Sequence, residues 1–126
     1  MQKIISIIVL ASLAGCAPSR QAIESALLPS APVILTQSQE AEMREGLERV
    51  LRDPESLRLR DVQAVRTKPG HVVACGWANG RNGFGGYEGF TPFSGVFTDS
   101  GFQVTDLAAE YAQRVKSQCS VLGIKL

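Results

Sequence analysis

The run His71-Val72-Val73-Ala74-Cys75-Gly76-Trp77-Ala78-Asn79 decides the fold. In an extended chain Val73, Cys75 and Trp77 share one face and Val72, Ala74 and Ala78 the other. A strand apolar on both faces must be covered on both, so the spacing predicts a strand in the middle of a sheet. Upstream, Lys68-Pro69-Gly70 is a turn. Before it, Leu57 and Leu59 alternate with Arg58 and Arg60, the pattern of a strand with one wet face. The phase then slips, because Val62 and Ala64 have the opposite parity. A bulge near Asp61 accounts for the slip.

Downstream, Asn79-Gly80 and Asn82-Gly83 are two turn signals. Phe84 to Phe93 reads as strand-like but glycine-rich, with Pro92 marking an edge or a bend. Val96-Phe97-Thr98 and Phe102-Gln103-Val104 flank Asp99-Ser100-Gly101, a three-residue hairpin loop with glycine at the left-handed position. Two helices flank these strands. Gln37 to Arg52 carries Ala41, Met43, Leu47, Val50 and Leu51 at helical spacing. Thr36 and Gln39 form its capping box, Gly46 marks close packing, and Asp53-Pro54 stops it. Thr105 or Asp106 caps a second helix running to about Gln118, with Leu107, Ala108, Tyr111, Val115 and Cys119 on one stripe. The expected class is α+β: an N-terminal helix, an antiparallel sheet of three to four strands, and a C-terminal helix.

The 126 residues are 44% hydrophobic and 20% charged, which fits one globular domain and excludes a fibrous repeat, a polytopic membrane protein and a disordered chain. The 13 basic and 12 acidic residues are spread along the chain, so no basic block speaks for nucleic acid. One histidine and three cysteines leave little from which to build a metal site, and no motif calls for a cofactor.

The N-terminal stretch is an address. Lys3 precedes an apolar run from Ile4 to Ala14, too short to span a bilayer but fitting the core of an export signal. The run ends in Leu13-Ala14-Gly15-Cys16, which resembles the lipobox of bacterial lipoproteins. That resemblance implies cleavage before Cys16 and lipidation of Cys16, with the membrane as the first partner. Ala17 stands where an aspartate would favour the inner membrane, so the resemblance implies the outer membrane, facing the periplasm. Without Lys3 the mature side chains are formally neutral, and the lipid does the anchoring. Residues 1–15 are therefore read as signal, 16–35 as a tether containing Pro18, Pro29 and Pro32, and 36–126 as the domain.

With Cys16 lipidated, Cys75 and Cys119 remain, and an oxidising compartment joins them. The bond would tie the C-terminal helix to the central strand. A catalytic pairing of Cys75 with His71 is disfavoured, since residues four apart in a strand stand about 13 Å apart.

Between Gly76 and Gly95 the chain holds seven glycines interleaved with Trp77, Phe84, Tyr87, Phe90 and Phe93. Two readings compete. Glycines permit tight turns while the aromatic rings fill the core. Alternatively the loop is a recognition surface using Asn79, Arg81, Asn82, Tyr87 and Glu88, and either Gly85 or Gly86 could hold a positive φ. No Gly-Lys-Ser/Thr follows, so a phosphate loop is excluded. The run Cys75 to Phe93 resembles a segment of small uncharacterised bacterial exported proteins, reading Cys-Gly-x-x-Asn-x-x-Asn-x-Phe/Tyr-Gly-Gly-Tyr-x-Gly. Those proteins also carry an upstream Asp-Pro-x-Ser, matched here by Asp53, Pro54 and Ser56. Trp77 departs from the polar residue usual there. The resemblance implies no activity.

The expected function is a non-enzymatic envelope lipoprotein that binds a partner, such as another envelope protein. The alternatives are a small-ligand or glycan-binding module and an inhibitor of a hydrolase. No catalytic residue set is expected.

Overall fold

The computed structural model describes residues 29–81 and 85–126. Its elements are β1 (Pro29–Val33), α1 (Gln37–Glu48), a 3-10 turn (Pro54–Ser56), β2 (Arg58–Thr67), β3 (Val72–Asn79), β4 (Thr91–Thr98), β5 (Gly101–Leu107), a second 3-10 turn (Ala109–Tyr111) and α2 (Ala112–Val121). The five strands form one antiparallel sheet in chain order. The class is α+β, as the pattern predicts, but the sheet has five strands rather than three to four, and among the described residues a strand rather than a helix comes first.

The additional strand is β1, inside the stretch read as tether. Proline made that stretch look unfit for a sheet. An edge strand tolerates proline, because alternate N–H groups face outward and need no partner. β1 is such an edge, pairing on one side with residues Ala64 to Thr67 of β2.

β3 is the middle strand and is covered on both faces. Val72, Ala74 and Ala78 join Met43 and Leu47 of α1 with Phe93 and Phe102. Cys75 joins Val65, Ile124 and the α2 residues Val115 and Cys119. The Cys75–Cys119 disulfide spans 6.3 Å between Cα atoms and ties α2 to the central strand, as the cysteine count predicts.

The bulge in β2 lies where the parity slips. Arg60 faces Trp77 and Gln63 faces Cys75, so Asp61 and Val62 together oppose Gly76. Asp61 adopts φ 52°. Glycine is needed opposite, since a Cβ on Gly76 would stand 3.0 Å from Val62 Cγ2 and 2.9 Å from Phe93 Cε1. Close packing also explains Gly46, whose Cβ would lie 2.5 Å from the Phe102 carbonyl oxygen.

Several boundaries differ from expectation. The Thr36–Gln39 capping box is present, but α1 ends at Glu48, and Val50 is exposed. β5 continues to Leu107, so neither Thr105 nor Asp106 caps a helix. Thr105 Oγ1 instead shares a 2.8 Å hydrogen bond with Ser94 Oγ across the sheet, and Asp106 pairs with Arg114. α2 starts at Ala112; Val115 and Cys119 are buried and Tyr111 is exposed. Residues 85–90 are not a strand, apart from one bridge between Arg81 and Tyr87. Pro92 sits in β4, an inner strand, paired with Trp77. It is tolerated because β5 ends opposite Phe93, leaving no ladder partner on that side.

Candidate functional site

The glycine segment is docked onto the turn before β2. Ser56 is buried and is the hub. Its hydroxyl donates to the Asp53 carbonyl at 2.7 Å and accepts the Arg81 backbone N–H at 2.8 Å. The Tyr87 hydroxyl donates to the Ser56 carbonyl at 3.0 Å. The Arg81 guanidinium pairs with the Asp53 carboxylate at 3.0 Å. Arg81 and Tyr87 of the glycine segment quoted for the resemblance therefore lie against Asp53 and Ser56 of the upstream Asp-Pro-x-Ser. Both were visible in the sequence. Their contact was not, because 25 residues separate Ser56 from Arg81.

Beside this hub, cations lie over aromatic rings on the face of the sheet that carries Cys75. The Arg58 guanidinium is 4.5 Å from the Tyr87 ring centre. Arg60 is 4.3 Å from Phe90 and 5.4 Å from Trp77, and Lys116 of α2 approaches Trp77 at 4.9 Å. Among the described residues Arg58 and Lys116 have no ion pair, and Arg60 has only its exposed neighbour Asp61 at 3.6 Å. Stacking on a ring orients a guanidinium and leaves its in-plane N–H donors outward. Further along, the hydrogen bond that the Arg114 guanidinium donates to the Asp106 carboxylate raises the Arg114 pKa above its ordinary value; that side chain lies 4.2 Å from the Tyr111 ring.

The residues expected to bind are only partly brought together. Tyr87 and Arg81 meet at Ser56, and Tyr87 stays 39% exposed, so it both holds the loop and faces solvent. Glu88 is exposed. It lies with Asn79, Gly80, Leu51, Thr91 and Leu107 around a cavity of about 170 Å³. Asn79 is 9% exposed, and its Oδ1 accepts no hydrogen bond from the described residues. Asn82 and Cys16 lie outside the described residues. Of the two glycines beside Tyr87, Gly85 is the one with positive φ, 83°. Sequence reasoning missed Arg58, Arg60 and Lys116 as site residues, because the rings they meet come from β3 and from the segment between β3 and β4.

Among the described residues no helix is long and apolar enough to cross a membrane. Comparisons with protein-family models, curated proteins and solved structures find no match to this chain.

Proposed function

We propose that this chain is a lipid-anchored, non-enzymatic envelope domain that binds another envelope protein at the end of its sheet remote from the anchor. Lipidation of Cys16 rests on the lipobox-like Leu13-Ala14-Gly15-Cys16, and an outer-membrane position on Ala17 in place of an aspartate. The observation that carries the binding reading is the polarity of β2. Pro29, where the tether joins, pairs with Thr67 at one end. Arg58 and Arg60, stacked on Tyr87, Phe90 and Trp77, stand at the other. The nine residue steps from Arg58 to Thr67 put these ends about 30 Å apart. A domain held by its N-terminal end presents the cationic and aromatic end outward. Cations already cover faces of Tyr87, Trp77 and Phe90, which leaves less ring surface for stacking a sugar and favours a protein over a glycan.

Cys16→Ser should abolish acyl labelling and membrane fractionation. A photo-crosslinking side chain at Glu88 should capture an envelope protein that the same side chain at Lys68, by the tether end, does not. Equal capture from both positions would remove the polarity on which the reading stands.

A further inference from the structure

β1 covers only half of the β2 edge. It pairs with Ala64 to Thr67 and then leaves the sheet at Val33. The reason is the bulge: Asp61, at φ 52°, breaks the ladder, so a straight edge strand cannot continue past it. Among the described residues no strand pairs with the outer edge of β2 from Arg58 to Gln63. An outer edge of this kind presents alternate N–H and C=O groups without ladder partners.

Two further features border this edge. A groove of about 760 Å³ runs beside it, lined by Ile34, Leu35, Ala41, Met43, Leu59 and Val62. Ile34 is 96% exposed at its rim. On the opposite face of the same strand stand Arg58 and Arg60, opposite Asn79 and Trp77. Residues two apart in a strand are spaced about 7 Å, so their guanidinium groups repeat at the interval of alternate side chains on a neighbouring strand.

We infer that the outer edge of β2 from Arg58 to Arg60, on the side of the bulge away from β1, takes an extended peptide of a partner protein in which acidic residues alternate with apolar ones. This rests on reading the domain as an interaction module, and it names the kind of partner. The peptide's main chain completes the ladder. Its acidic side chains fall beside Arg58 and Arg60, and those between them fall on the Leu59 side, into the groove. Main-chain bonds supply affinity and the alternation supplies specificity. The arginines select carboxylates because a guanidinium matches a carboxylate with two parallel hydrogen bonds. The bulge that shortens β1 thus leaves room for a partner strand while keeping the domain's own edge from extending.

The test uses a labelled, end-capped peptide of alternating Glu and Val, followed by fluorescence anisotropy on the disulfide-bonded protein. It should bind. Replacing its Glu by Lys, or introducing Arg58→Glu and Arg60→Glu in the protein, should weaken binding by about tenfold or more. N-methylation of alternate peptide amides should abolish it, since those groups enter the ladder. Equal binding of the N-methylated peptide, or its displacement by a sulfated polysaccharide, would make the edge a general anion surface and overturn the inference. So would a domain that sediments as a dimer which the peptide does not dissociate, giving the edge to a second copy. If no peptide binds while the Glu88 crosslink persists, strand addition fails and the interaction module stands. If both are lost, both fail.

Discussion

On the α1 face, Met43, Leu47, Phe93 and Phe102 close the sheet by packing alone. On the α2 face a helix of ten residues buries only Val115 and Cys119, and one of these is covalently bound to β3. Phe102 shows how dense the first face is, with Phe93 edge-on at 6.4 Å and Phe97 at 4.9 Å. A short helix lacks the apolar area to hold itself on a sheet. The difference teaches that the disulfide does on one face what aromatic packing does on the other. It also leaves the outer part of the α2 face, with Trp77, Arg60 and Lys116, free of core duties.

Substitutions on each face test that contrast. Removing the bond with Cys75→Ala and Cys119→Ala opens a link between positions 44 apart, and should cost about 4 kcal/mol on the chain-entropy model. For a domain this small that lowers Tm by roughly 20 °C in a thermal melt. A loss below about 1 kcal/mol would mean that α2 packs unaided. Leu47→Ala, fully buried on the packed face, should cost about 3 kcal/mol by denaturant titration. Gly95→Ala should cost about 2 kcal/mol or more, because its Cβ would stand 2.2 Å from Phe102 Cζ. Tyr87→Phe removes the hydrogen bond to the Ser56 carbonyl and should cost about 1 kcal/mol. Asp61→Gly relieves a positive φ but loosens the unfolded chain, so it should stay within about 0.5 kcal/mol of neutral.

The same contrast separates what could be read from the sequence. β3 was legible because both of its faces are apolar, and the bulge because Leu59 and Ala64 disagree in phase. The disulfide followed from counting cysteines. β1 was not legible, since Pro29 and Pro32 speak against a strand unless the strand is known to be an edge. The start of α2 was misread because Thr105 and Asp106 have the chemistry of a helix cap. They spend it on Ser94 and Arg114, partners that only the folded sheet brings near. The candidate site was half legible. Tyr87 and Arg81 stood out among the glycines, whereas Ser56, Arg58 and Arg60 join them only because β2 lies against β3.

Binding and stability should therefore part company at the Arg58–Arg60 end. The most direct measurement takes the double variant Arg58→Glu and Arg60→Glu and records its thermal melt alongside photo-crosslinking from Glu88 in the intact, membrane-anchored chain. Both side chains are exposed and give up ring contacts worth about 0.5–1 kcal/mol each, so Tm should fall by no more than about 10 °C while the crosslinked partner disappears. An undiminished crosslink in a variant that melts within that range would contradict the assignment of this end of the sheet to binding.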